Sequence, residues 1–333
     1  MEYKTIFKYR KLLMGFAMLL LVLHHGRAYV PAGRVNDLVA LLYGGVDFFL
    51  FCSGIGCFFS YTADRNPAAF LKRRAKRIFP VYLVFMAYWL HVQFNAGRVP
   101  LRDVLGNLLW VQWLTGREPV FNWYMSALLV TYLLTPALAS LAEWADRPPR
   151  ALGALLGLVA FSLCFWHSSQ WVIITTRIPL FFVGMLFAAD SRRRETLSGI
   201  ELVLLGLMAL AGGVFLRFVH ADGSEALLWD CGMYWYPFLL IIPGVCVGLA
   251  KGAELLERCA PGRWLVTAIS FVGGYTFEIF ITHCYALGGS VWHYLLFAVI
   301  YAAVLHLASL AVRKAGEWLG RLLRPARETV SRP

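Results

Sequence analysis

Residues 38–61 read LVALLYGGVDFFLFCSGIGCFFSY, from Leu38 to Tyr61, and Asp47 is their only charged residue. About 20 predominantly apolar residues suffice for a helix to cross a bilayer. This stretch predicts such a helix, with a carboxylate inside it. Nine residues from the start of the run, Asp47 would lie roughly 13 Å deep at 1.5 Å per residue.

Further runs of this kind fill the chain, near 12–30, 79–95, 121–143, 151–168, 173–189, 199–218, 232–250, 264–286 and 288–311. The whole 333-residue sequence is 59% hydrophobic and 15% charged, with a mean hydropathy of +0.63. Soluble domains carry about 25% charged residues. The composition excludes a soluble enzyme, a disordered chain, a disulfide-framed secreted domain and a single-anchor protein with a large soluble head. Length alone would suggest about two domains. The even spread of apolar runs predicts one all-α polytopic membrane domain over 1–333, its core at about 12–311 and a basic tail at 312–333. The first run ends in His24-His25-Gly26-Arg27, not in a small-residue cleavage site, so it reads as a retained helix. No long polar segment is left for an appended soluble catalytic domain.

The formal net charge of +12 sits in short runs between apolar segments, as in membrane-protein loops, and not on a basic face that would bind nucleic acid. Residues 104–115 are short and hold Asn107 and Gln112. If they do not cross, one side of the membrane keeps Arg27, Arg34, Arg98, Arg102, Arg117, Arg177 and Arg217. The other side then holds the remaining 24 of 31 basic residues. The positive-inside rule therefore predicts ten spans with both termini cytoplasmic. The 104–115 piece becomes a re-entrant or outer-surface segment whose backbone needs protein cover. Gly153–Gly157 and Gly244–Gly248 have the spacing of close helix packing. No internal repeat is evident. The seven cysteines form no C-x-x-C pair and read as small buried hydrophobes, so no metal or haem site is expected.

Ionisable groups within spans are functional candidates by default. His24, His25, Asp47, Arg177, Glu278 and His283 all fall in the outer halves of four spans, which predicts a polar cavity open to the outer face. Asp47 needs a partner, and His25 is a sensible one. Such a pair would orient the imidazole and raise its basicity, as suits a general base acting on a hydroxyl. On the inner side, FLKRRAKRIFP at 70–80 reads as a topology signal with anionic-lipid contact, or as a clamp for a phosphate-rich ligand. Arg77 at the membrane boundary leads that clamp, with Arg10 and Lys11 as further donors.

Four regions resemble the acyltransferase-3 family of integral membrane acyltransferases. The first is Met14-Gly15-Phe16-Ala17 through Leu23-His24-His25. The second runs from Gly45-Val46-Asp47 through Ser53-Gly54, similar to G-V-D-x-F-F-x-x-S-G, and on into the basic run to Tyr82. The third is Trp123-Tyr124-Met125-Ser126 with Tyr132 and Pro136. The fourth joins Arg177 through Gly184 with Phe280-Ile281-Thr282-His283. The resemblance implies acyl transfer, commonly of acetyl, from cytoplasmic acyl-CoA to a hydroxyl or amine of an envelope glycan, lipid-linked sugar or similar acceptor. Acyl-CoA would be a co-substrate, with no bound cofactor. The expected setting is a bacterial cytoplasmic membrane, with membrane lipids as the other partner. In this scheme His25 is the general base or acyl relay and Asp47 its partner. Arg77, Arg74, Arg73, Arg10 and Lys11 contact the donor. Trp123, Ser126, Arg177, Glu278 and His283 line the acceptor side.

Many members carry an Arg in R-x₁₀-H. Here Met14 holds that place, with Arg10 and Lys11 one turn earlier, and His24 stands where an apolar residue is usual. The H-x₄-D signature of phospholipid acyltransferases is absent, His220 with Glu225 coming nearest. A transporter or exporter of a glycan or small anion is the competing reading, though it would be expected to show inverted repeats. A catalytically dead sensor is the third.

Overall fold

The computed structural model describes residues 1–97, 99–118, 120, 123–221, 234–287 and 289–322. Among these residues the fold is all-α, with one isolated bridge between Glu2 and Thr196 and no strand. The helices are α1 (Tyr3–Lys8), α2 (Arg10–His25), α3 (Arg34–Ala40), α4 (Gly45–Thr62), α5 (Pro67–Ala96), α6 (Leu101–Leu108), α7 (Trp123–Trp144) and α8 (Pro148–Leu163). They continue with α9 (Ser169–Thr175), α10 (Ile178–Asp190), α11 (Gly199–Ala221), α12 (Tyr236–Leu256), α13 (Ala260–Gly274), α14 (Thr276–Thr282) and α15 (Val291–Leu322). Residues 222–233 and 323–333 lie outside the described set, and with them Glu225, Cys231 and the last part of the basic tail. The tail's first residues simply extend α15.

Among the described residues, seven segments are long and apolar enough to cross a membrane, and α13 with α14, bent by 62°, makes an eighth if the pair is one span. The chain is an integral multi-pass membrane protein. The two other predicted spans are also helical. α8 has 16 residues, and α5 carries the basic run and the third apolar run in one 30-residue helix. Its start follows from the sequence: the Asn66 side chain accepts from the Ala69 N–H, and Pro67 opens the first turn, where its missing N–H costs nothing.

The apolar faces sort the helices into core and rim. α2, α4 and α10 form the buried centre through residues such as Leu13, Met18, Leu50, Phe51, Phe181 and Phe182. α4 and α10 approach so closely that a Cβ at Gly54 would strike the Phe181 carbonyl, and one at Gly184 the Phe51 carbonyl. Small residues permit this approach where lipid offers no hydrophobic drive. α11 lies at the rim. Its Val203, Leu207, Leu210, Val214 and Phe218 are exposed at helical spacing, a stripe that lipid covers. Of the glycines singled out for packing, Gly244 does meet α11 at the Leu205 carbonyl. Gly153, Gly157 and Gly248 face nothing within 4 Å.

The 104–115 piece holds no helix long enough to cross. α6 has eight residues, about 12 Å of helix, followed by a turn. Side chains satisfy its backbone: Tyr82 donates to the Asn107 carbonyl and Ser126 to that of Trp110. Among the described cysteines Cys52, Cys57 and Cys246 are buried, whereas Cys164, Cys259 and Cys284 are exposed, and all are free.

Candidate active site

Two of the predicted spans are regular only in part, and both breaks place a charge. The second span is 3-10 helix over Leu41–Gly44. Asp47 therefore sits in the first turn of α4, where the helix dipole favours a carboxylate. The sixth span breaks at Thr176–Arg177, and Arg177 becomes the N-cap of α10.

The breaks bring these two residues together. Arg177 Nε lies 3.5 Å from Asp47 Oδ1, with both side chains 2% exposed. Asp47 therefore partners Arg177, in place of the expected pair with His25. The pair is held by charge more than by directed hydrogen bonding, since Arg177 Nε and Asp47 Oδ2 have no hydrogen-bond partner among the described residues. Arg177 also donates to the Ile173 carbonyl. Its guanidinium lies over the rings of Trp235 at 3.6 Å and Trp123 at 4.9 Å, which offsets part of its desolvation.

The partner of His25 is His283, with Nδ1 and Nε2 3.1 Å apart. The surrounding carbonyls fix the tautomers. His283 Nδ1 lies 2.8 Å from the Phe280 carbonyl, which only accepts, so that nitrogen carries the hydrogen and Nε2 is bare. His25 Nδ1 faces this bare nitrogen and, at 3.0 Å, the Leu21 carbonyl. It too carries its hydrogen. His25 Nε2 is left with a free lone pair, the arrangement of a base ready to accept a proton. Cys284 Sγ is 3.4 Å from His283 Nε2. The ligand atoms of His25, His283 and Cys284 lie within 4.8 Å of one another, making this trio the place among the described residues where a metal ion could be held. From sequence Cys284 reads as a packing residue, with no spacing that singles it out.

His24, His25, Trp123, Arg177 and His283 line one wide cavity of about 1950 Å³. Aromatic walls from Tyr43, Trp113, Trp235 and Tyr285 complete it. Ser126 does not line it; its hydroxyl is buried against Trp110. Glu278 does not line it either. That carboxylate accepts from His306 Nδ1 at 2.9 Å and lines a second, narrow cavity of about 270 Å³. This cavity holds the arginines: Arg10, Arg74, Arg77 and Arg313. Arg73 turns away to an ion pair with Asp64 and the Ser60 carbonyl, and Lys11 lines neither cavity. Arg74 donates to the Gly56 carbonyl at 2.8 Å, while its Nε is buried with no partner among the described residues. An orphaned guanidinium N–H beside three more arginines suits a phosphate-bearing ligand.

Residues 11–313 match the family model described as an acyltransferase domain. The chain belongs to the acyltransferase-3 family. It is a membrane acyltransferase, and the match spans nearly the whole chain. Neither a curated protein nor a solved structure matches it. Within this acyltransferase-3 protein the departure at Met14 has a local answer. Met14 and Arg10 stand one turn apart on α2 and line the same narrow cavity, so Arg10 brings a guanidinium to the place that lacks one.

Proposed function

We propose that this acyltransferase moves a short acyl group, acetyl as the leading case, from acyl-CoA in the narrow cavity to a sugar hydroxyl in the wide one. The observation that carries the reading is the division of α2. Arg10 and Met14 at one end line the narrow cavity, and Leu21, His24 and His25 at the other line the wide one. The positive-inside rule puts the arginine end in the cytoplasm, where acyl-CoA is found. The acceptor side would then face outward, in a bacterial cytoplasmic membrane. Flat tryptophan and tyrosine walls with a few polar groups suit the apolar faces of a pyranose.

In the reaction, His25 Nε2 takes the proton from the acceptor hydroxyl as its oxygen attacks the thioester carbonyl carbon. The C–O bond forms, the C–S bond breaks, and the departing thiolate receives the proton from the imidazolium. His283 fixes the tautomer that makes this possible and is a positioning residue. Arg177, held by Asp47, offers a fixed positive charge in the cavity where the acceptor binds. Arg10, Arg74, Arg77 and Arg313 hold the anionic end of the donor.

Purified protein in lipid bilayers with labelled acetyl-CoA and candidate envelope glycans tests this. Free CoA should appear in step with acetylated glycan, identified by mass spectrometry. Glycan passing across the bilayer with no CoA released would support the transporter in its place.

A further inference from the structure

The wide and the narrow cavity meet at one side chain. Among the described residues, Phe280 alone lines both. It is carried by the seven-residue α14, beyond the 62° bend that separates α14 from α13. Its ring packs at 4.8 Å from Tyr124 and 6.3 Å from Phe49, both of which line the narrow cavity. On its other side it meets His283 at 6.0 Å, in the wide cavity. The same short helix carries Glu278 into the narrow cavity, and His283 follows at its end. Five residues of helix span about 7.5 Å, so the partition is roughly one side chain thick.

This partition lies across the path of the reaction proposed above. The arginine end of α2 and His25 are 15 residues apart, about 22 Å along the helix. An acyl group whose carrier is anchored at Arg10, Arg74, Arg77 and Arg313 must therefore arrive on a long, narrow arm. The side chain it would meet between the two cavities is Phe280, which lines both. We propose that Phe280, backed by Tyr124 and Phe49, is the gate through which the acyl group enters the acceptor cavity, and that the width of this aperture selects short acyl groups over long ones. The inference rests on the donor and acceptor assignment just made. What it adds is a specificity-determining residue that touches the acyl chain and takes no part in proton transfer.

The physical expectation is steric. A passage closed by a packed aromatic ring opens by rotation of that ring, and each added methylene must fit the space that rotation clears. Discrimination at an apolar wall runs to about tenfold or more per methylene. Phe280→Leu keeps an apolar side chain of similar bulk and guards against loss of folding. Phe280→Ala opens the aperture, and Phe280→Trp narrows it.

The test uses the full chain in proteoliposomes with acetyl-, butyryl-, hexanoyl- and octanoyl-CoA. Wild type should favour acetyl. Phe280→Ala should raise the hexanoyl-to-acetyl ratio about tenfold or more, with Phe280→Leu intermediate and Phe280→Trp slower even with acetyl. A second readout does not depend on the donor. Cys284 lines the wide cavity, so a membrane-impermeant methanethiosulfonate added on the arginine side should label it in Phe280→Ala and not in wild type, as read by peptide mapping. Acetyl transfer with an unchanged chain-length profile in every variant overturns the gate while leaving the enzyme reading intact. If wild type turns over no acyl-CoA, the enzyme reading fails, and the labelling decides the partition alone. Equal labelling of Cys284 in wild type and Phe280→Ala overturns it.

Discussion

His283 Nε2 faces His25 Nδ1 at 3.1 Å, and the carbonyls behind both rings leave the free lone pair on His25 Nε2. His25, the proposed base, thus meets a second imidazole 258 residues along the chain, while Asp47 is paired with Arg177.

His25→Ala should lower the transfer rate by about 10²–10⁴, the range of a general base, without loss of expression. His24→Ala should retain most activity. His283→Ala should lower the rate less than His25→Ala, and His283→Gln should recover part of the loss, because its amide oxygen can accept from His25 Nδ1. Steady-state rates for the four variants check this. Full activity in His25→Ala, with loss in His24→Ala, would assign the base to His24.

Asp47 and Arg177 form a buried pair, and removing one partner strands the other. Asp47→Asn should destabilise the protein by about 3–5 kcal/mol, seen as a lowered midpoint of thermal unfolding in lipid or detergent. Asp47→Leu combined with Arg177→Met should regain much of that stability, because apolar replacement of a whole buried pair is commonly tolerated. It should not regain activity. An Asp47→Asn protein with unchanged stability would refute the pairing.

The arginines of the narrow cavity should act on donor affinity. Alanine at Arg10, Arg74 or Arg77 should each weaken CoA binding by about 10- to 100-fold, the worth of a charge-assisted hydrogen bond. Arg73→Ala should have little effect, since its half-exposed pair with Asp64 is of the kind worth about 0–1 kcal/mol. Met14→Arg should rescue Arg10→Ala. Equilibrium binding of CoA distinguishes these outcomes, and equal losses at Arg73 and Arg74 would count against the assignment.

At the surface, Glu257 accepts from Lys8 Nζ and Tyr9 Oη, each at 2.7 Å. The Lys8 ammonium, and then the Tyr9 hydroxyl, hold the carboxyl below its ordinary value. A depressed acid stabilises the fold above its unfolded pKa, about 4.3 for Glu, and that contribution is lost as pH falls through the lowered value. Glu257→Gln should therefore flatten the acid side of the stability profile below about pH 5, with no change near neutrality beyond the loss of the ion pair. An identical acid limb in the variant would rule the contact out as a contributor.

The membrane class and the helical runs were legible because uninterrupted apolar sequence has few other fates. Local breaks were not. Hydropathy registers no difference between a straight helix and one broken at Thr176–Arg177 or bent at Tyr275, yet those breaks decide what meets what. Counting residues along one span puts Glu278 at the level of His283, whereas five residues of helix turn the two side chains about 140° apart, and Glu278 meets His306 in the narrow cavity. The Asp47 partner was misread for the same reason: the depth of a residue can be counted, but the direction its side chain points around the helix needs the packing. His306 could have been found. It is an ionisable group in an apolar run, and the rule that picked out Asp47 applies to it equally. Arg313 reads as a tail residue because the apolar run stops near 311, whereas the helix continues to Leu322 and brings Arg313 to the narrow cavity.

Phe280 and His283 ride on the same short segment beyond the 62° bend, while His25, Asp47 and Arg177 belong to the tightly packed centre. Under the proposed gate, a ring that turns aside leaves the α14 backbone where it is, so the 3.1 Å contact of His283 with His25 is kept while the thioester arm threads the passage.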